Sequence, residues 1–164
     1  MAWDCATHYY RGHFQNDLKH GYGESRHKDG TIYRGEWQYG YMHGEGELTF
    51  ATGNRYQGSL AGNMKHGKGK LLFAKGGSYE GTFSKDQYHG SNCTYIWPDG
   101  SQFTGTYEAG MRHGQGTLTK PDGRCYKGTW SENRRHGQIL FTDAQGRLYR
   151  QEWKDDKRVK SELI

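Results

Sequence analysis

One 23-residue period runs through this chain and decides what it can fold into. An aromatic residue opens each period, at Tyr10, Tyr33, Tyr56, Tyr79, Phe103, Tyr126 and Tyr149, with spacings of 23, 23, 23, 24, 23 and 23. Two residues after every opening but the last stands a glycine: Gly12, Gly35, Gly58, Gly81, Gly105 and Gly128. Four residues after each opening aromatic stands a large apolar side chain: Phe14, Trp37, Leu60, Phe83, Tyr107, Trp130 or Trp153. His-Gly pairs follow, at His20, His43, His66, His89, His113 and His136, and each period closes on a turn such as Asp29-Gly30 or Asp99-Gly100. A short fixed period of this kind marks a repeat architecture, whose units bury a core only by stacking on one another.

Within a period the pattern alternates by two. Tyr33, Gly35 and Trp37 share one face of a strand, and Gly44, Gly46, Leu48 and Phe50 one face of the next. Turn residues separate them at Tyr39-Gly40, with counterparts at Gly62, Gly110 and Asn133. Each period is therefore a β-hairpin, and six periods plus a last half give about thirteen antiparallel strands. Composition agrees. Glycine is 26 of 164 residues, proline only 2, aromatics 15% and total apolar content 32%, which suits short strands with rings over a thin core. Disordered chains are poor in aromatics, and ordinary globular domains are richer in aliphatics.

The sequence Tyr-x-Gly-x-Trp … His-Gly-x-Gly-x-Leu-x-Phe … Asp-Gly resembles the MORN repeat (membrane occupation and recognition nexus), from residue 10 to about 154. The resemblance implies an all-β fold, an elongated single-layer antiparallel sheet of stacked hairpins with a groove. It also implies scaffolding at membranes and cytoskeleton, with partner helices held in the groove and phosphoinositides as ligands. The expected organisation is an N-terminal cap over residues 1–9 including Trp3, an array over 10–154, and a C-terminal tail over 155–164. In that tail Val159 and Leu163 lie four apart, the spacing of a short capping helix. Alternatively, the chain is a piece of a longer array.

Departures from the repeat carry its individuality. The two late inward positions read Ser25/His27, Leu48/Phe50, Leu71/Phe73, Tyr95/Trp97, Leu118/Lys120 and Phe141/Asp143. Units two to four thus carry a continuous apolar ladder. It is either simply the thin core or, on its exposed side, a partner-binding groove of Leu48, Phe50, Leu71, Phe73, Tyr95 and Trp97 with Trp37 and Phe83. The 24-residue fourth unit places its extra residue between His89 and Cys93, where a β-bulge absorbs it without turning over the flanking faces. Gln151 takes the place of the seventh glycine.

A second candidate surface is basic. Lys19, Lys65, Arg112 and Arg135 each precede a His-Gly pair, and with Arg134 they are expected to line one long edge of the sheet as an anionic-lipid headgroup site. Solvated edge charges that discourage sheet association are the simpler explanation of the same residues. The formal net charge is +5 with interspersed signs, which is no nucleic-acid footprint.

Catalysis and cofactors are not expected. Equivalent histidines lie two strands, roughly 10 Å, apart, too far to share a metal ion at ~2.1 Å bonds. The Gly-x-Gly runs, such as Gly44-Glu45-Gly46, lack a third glycine and a following helix, so they are no dinucleotide fingerprint. Cys5, Cys93 and Cys125 are odd in number, and strand phase puts the last two on opposite faces, so a reducing compartment is expected. The chain has neither a signal-like apolar region nor 18 consecutive apolar residues, and a cytoplasmic protein reaching membrane or cytoskeleton through partners is expected. An open end strand would also let two copies pair.

Overall fold

Alternation of apolar and polar residues, punctuated by turn residues, yields strands throughout the computed structural model. It describes residues 2–5 and 8–164, with side chains from residue 9 onward. Fifteen strands lie among the described residues: β1 (Ala2–Cys5), β2 (His8–Gln15), β3 (Leu18–Arg26), β4 (Ile32–Gln38), β5 (Tyr41–Thr49), β6 (Arg55–Ala61), β7 (Met64–Leu72), β8 (Ser78–Ser84), β9 (Gln87–Ile96), β10 (Gln102–Glu108), β11 (Met111–Thr119), β12 (Cys125–Ser131), β13 (Arg134–Thr142), β14 (Leu148–Lys154) and β15 (Lys157–Leu163). They group into two compact units, Met1–Lys75 with Phe83–Asp86, and Gly76–Thr82 with Gln87–Ile164. In the first, β1 to β7 form an antiparallel meander in chain order. In the second, β9 to β15 do the same.

Each hairpin is built on a two-residue turn with both residues at positive φ, as at Asn16-Asp17 (49° and 60°) and Glu132-Asn133 (48° and 70°). That is the turn whose twist matches paired strands. The second turn residue also ties the hairpin to its predecessor. The Asn133 amide donates to the Arg112 carbonyl at 3.0 Å, and Asn133 Oδ1 accepts from the Arg112 amide at 2.9 Å. Asp86 and Asp156 hold Lys65 and Arg135 in the same way.

The His-Gly pairs are not turn residues but bulges. Gly35 pairs with Gly46 and Trp37 with Met42, so Glu36 alone faces His43, Gly44 and Glu45. Gly44 adopts φ 60° there, and the other five His-Gly glycines lie between 63° and 91°. Such bulges raise twist and bend the strand. They also interrupt the ladder, and the opening tyrosine fills the gap. The Tyr33 hydroxyl donates to the Glu36 carbonyl at 2.7 Å, as Tyr10 does to His13, Tyr56 to Ser59 and Tyr79 to Thr82.

To reach that carbonyl, each ring lies down across bare backbone. The Tyr56 ring covers Gly58 on its own strand and Gly69 on the neighbour, so that a methyl group at Gly69 would stand 2.6 Å from Tyr56 Cζ. The covering ring therefore comes from the same strand, two residues earlier. This is how Tyr33, Tyr79 and Phe103 become fully buried in one layer of strands. Further rings pack edge-on against them: Tyr10 on Trp37, Tyr56 on Phe83, and Phe103 on Trp130, with centroids 5.2 to 5.3 Å apart.

The exceptions fall where the sequence deviates. Opposite Gly105 and Tyr107 lie Cys93 and Gly90, so Thr106 faces Ser91 and Asn92, and Asn92 takes φ 57°. The extra residue of the fourth unit is thus absorbed between His89 and Cys93, as expected. The buried Cys93 side chain fills the slot against Gly81. Ile139 does so against Gly128, leaving Tyr126 only half-buried against Phe141. Gln151 is itself buried, donating to Ser161 and accepting from Trp153 Nε1 at 2.9 Å.

The C-terminal helix is a misreading. Residues Lys157–Leu163 form strand β15, paired Gln151 to Ser161 and Tyr149 to Leu163. Asp155-Asp156 makes the same positive-φ turn as every other hairpin (49° and 64°), and the free edge of β14 offers a template that the helical spacing of Val159 and Leu163 does not outweigh. The array therefore does not stop after one strand of its seventh unit. At the other end β1 pairs with β2, while Met1, Ala6, Thr7 and the Trp3 side chain of the expected cap lie outside the described residues.

Two outcomes follow from the ring-over-glycine packing. Gly69→Ala should push Tyr56 out of its slot and destabilise the protein by about 2 kcal/mol, seen as a lower urea midpoint. Burial pushes the Tyr33, Tyr56, Tyr79 and Tyr107 phenols well above the ordinary 10.0, and Tyr88 up to about 12. These groups fold as neutral phenols, so their contribution is fully present below pH 10 and is lost as pH rises through the folded values. Urea midpoints should hold steady to about pH 9 and fall above pH 10, with core phenolate absorbance emerging together with loss of β-structure.

Candidate functional site

The ring-bearing face of the strands carries both candidate residue sets. In the first unit Trp37, Leu48, Leu71 and Phe83 are buried and form its floor, while Phe50 and Phe73 are half-buried at its rim. In the second unit Tyr95 and Trp97 are half-buried, with ring centroids 4.7 Å apart. Phe50 and Trp97 stand where strands enter the inter-hairpin turns, whose amides and carbonyls close on them: Gly53 donates to the Phe50 carbonyl at 2.8 Å, and Gly100 to that of Trp97 at 3.0 Å. In the first unit the expected ladder is thus two rows, Leu48 and Leu71 in the core and Phe50 and Phe73 at the surface, while in the second Tyr95 and Trp97 are both at the surface.

Four of the five basic residues do not project from an edge. They fold back over the rings. Lys19 Nζ lies 4.5 Å from the Trp37 ring centroid and 5.1 Å from Tyr10. Lys65 Nζ lies 5.7 Å from Phe50 and 5.9 Å from Tyr56. The Arg112 guanidinium lies 4.6 Å from Trp130 and 5.6 Å from both Trp97 and Phe103. Arg135 lies 3.8 Å from Trp153 and 4.9 Å from Tyr126. Arg134 alone is exposed. The structure thereby brings the two sets together, Lys65 with Phe50 and Arg112 with Trp97. Each cation–ring contact of this type contributes about 0.5–2 kcal/mol, more as water is excluded.

Counterions differ among these cations. Lys65 is ion-paired to Asp86 at 2.5 Å and Arg135 to Asp156 at 2.8 Å. Arg112 instead donates to the Asn133 carbonyl at 2.7 Å, and Lys19 faces Gly40, whose amide bonds its carbonyl at 2.9 Å. Among the described residues, neither Lys19 nor Arg112 has a carboxylate within ion-pair distance. Burial pulls the pKa of both below the ordinary values for their types. The Arg135 guanidinium and its hydrogen bonds outweigh burial at Asp156 and hold that carboxyl below the usual range.

Residues outside the predicted set belong to the same face. Tyr88 occupies the position of Lys19, Lys65 and Arg112 in the fourth hairpin and stacks on Tyr79 at 3.9 Å. Met42 occupies it in the second. The common spacing from the opening aromatic was the signal that could have found both. Tyr126, Phe141 and Trp153 extend half-buried rings along the second unit. Shallow clefts border the rings: one of about 350 Å³ beside Tyr10, Phe14, Leu18 and Lys19, and one of about 330 Å³ beside Trp97, Pro98, Leu118 and Lys120. The opposite face is mainly polar, with Arg34 bonded to Glu24 at 2.7 Å, and carries exposed Tyr22, Leu72 and Leu140 among its charges.

The six His-Gly histidines stand one to a hairpin, with His8, His13 and His27 in or beside the first, and among the described residues no group of three or more His, Cys, Asp or Glu could hold a metal ion. Nor is any helix among them long and apolar enough to cross a membrane.

Similar solved structures include the wild-type TCP10 domain of Danio rerio CPAP, at 14% identity and a TM-score of 0.49, covering 97% of this chain and 74% of that one. The same domain in complex with a peptide of Danio rerio STIL gives 13% identity and a TM-score of 0.39, over 96% and 74% of the two chains. The SAS-4 (dCPAP) TCP domain of Drosophila melanogaster, in complex with a proline-rich motif of Ana2 (dSTIL), gives 10% and 0.34, over 94% and 88%. No curated protein matches the sequence. The MORN repeat model, by contrast, matches six times, at residues 10–32, 33–55, 56–78, 79–102, 103–123 and 126–138. Its boundaries fall on the same hairpins that the rings, bulges and clamps define, and the chain belongs to the MORN-repeat family.

Proposed function

We propose that this MORN array is a non-catalytic scaffold that binds a segment of a partner protein against its ring-bearing face, in an assembly at membrane or cytoskeleton. The observation that carries this reading is the set of outer aromatic rings that each unit presents. Phe50 and Phe73 in the first unit and Trp97 in the second are half-buried, outside the set of fully buried core side chains. A protein with mean hydropathy of −1.13 has few apolar side chains to spare, and clustered exposed rings are favoured anchors in protein interfaces. The rings stand on paired strands rather than on long loops, which holds them ready and lowers the ordering cost of binding. Tyr95 beside Trp97, and Leu48 and Leu71 beneath Phe50 and Phe73, complete the two apolar surfaces.

Anionic-lipid binding through Lys19, Lys65, Arg112, Arg134 and Arg135 draws less support. Four of these cations lie over rings, and two are already neutralised by Asp86 and Asp156.

Phe50→Ala, Phe73→Ala and Trp97→Ala should each lower the urea midpoint only modestly, with cooperative unfolding kept, and weaken capture of protein partners about tenfold or more. Glu47→Gln on the polar face should leave capture intact. Equal capture by all four variants would overturn the reading, as would capture that follows anionic vesicles instead of protein.

A further inference from the structure

We propose that Lys19 in the first unit and Arg112 in the second are docking points for carboxylates, so that the partner segment is an acidic peptide carrying apolar side chains. This deepens the scaffold reading above and rests on it. The evidence is a pattern across hairpins. The position before each His-Gly pair faces the second residue of the next hairpin turn, giving the pairs Lys19–Gly40, Met42–Asn63, Lys65–Asp86, Tyr88–Gly110, Arg112–Asn133 and Arg135–Asp156. Where the turn supplies an aspartate, the cation is neutralised within the fold, at 2.5 Å for Lys65 and 2.8 Å for Arg135. Where it supplies asparagine or glycine beneath a cation, no carboxylate is ion-paired to the charge, which lies over rings and, for Arg112, also meets the Asn133 carbonyl at 2.7 Å and the longer-range field of Asp156. Arg112 and Lys19 are those two cases.

A half-buried cation without an anion is costly, and a carboxylate from outside would remove that cost with charge-assisted hydrogen bonds. Arg112 has five N–H donors, of which one is used, toward the Asn133 carbonyl. The surroundings fit the rest of such a peptide. Trp97, which Arg112 overlies, also lines the cleft with Pro98, Leu118 and Lys120, where Asp99 is engaged by the amide and hydroxyl of Ser101. Lys19 lines a second cleft with Phe14, Leu18, Arg26 and His27, in which Asp17 is the one acidic side chain. Apolar walls with basic corners favour a chain of alternating acidic and apolar residues over a plain anionic surface, in keeping with the net charge of +5.

The test is a panning of random twelve-residue display peptides on the full chain, with phosphatidylserine vesicles as a parallel arm. Peptides enriched in Asp or Glu together with Phe, Leu or Trp are expected. Synthetic copies should bind about tenfold more weakly to Lys19→Met or Arg112→Met, a substitution that Met42 shows the fold to accommodate. Asn133→Asp should give Arg112 an internal carboxylate of the Asp156 kind, weakening the acidic peptides while preserving or raising the thermal midpoint. Enriched peptides without acidic excess, or acidic peptides indifferent to both Lys19→Met and Arg112→Met, would overturn this inference and leave the scaffold reading standing. No peptide enrichment, with vesicle binding in its place, would overturn both.

Discussion

A tyrosine ring lying across two glycines is the contact on which the remaining structure depends. A single layer of strands has no second sheet to cover it, so it must supply its own apolar cover from its own residues. Removing the side chains at Gly58 and Gly69 opens a slot on adjacent strands, and the ring of Tyr56 fills it. The His-Gly bulge then creates the bonding need that keeps the ring there, because the carbonyl beside it accepts the phenol at 2.7 Å. Glycine, ring and bulge are therefore one device, and each unit repeats it with small changes.

Those changes show what the device tolerates. Phe103 is fully buried without a hydroxyl, so burial alone suffices to seat the ring. Cys93 coexists with a buried Tyr79, whereas the bulkier Ile139 displaces Tyr126 toward Phe141 and Trp153. Slot volume thus decides whether an opening aromatic serves the interior or the surface. The half-buried rings of the second unit are partly a product of this competition.

Much of the architecture was legible because it rests on period. The alternation of Tyr33, Gly35 and Trp37 gives the strand faces, and the 24-residue spacing alone locates the bulge near Cys93. The tail was not legible in the same way. Its only pattern, Val159 and Leu163, is a local spacing, and it yields to a long-range template at the edge of β14 and to the Asp155-Asp156 turn. The basic residues were found, but their direction was not. Spacing places Arg112 beside the hairpin turn, while a flexible side chain and the attraction of three rings carry its charge inward over Trp97. Which cations lack a counterion became visible only when the turn of one hairpin met the strand of the preceding one.

The clamps also bear on how such a molecule comes into being. Every turn-to-strand clamp joins residues 21 or, at Tyr88–Gly110, 22 apart, and the ring contacts between hairpins reach little further. Sheets usually form slowly because their pairings close long loops against chain entropy. Here no loop grows as hairpins are added, so each new unit meets its template as soon as it emerges. The array can accumulate length one short closure at a time, with a folding barrier set by the hairpin and not by the size of the whole.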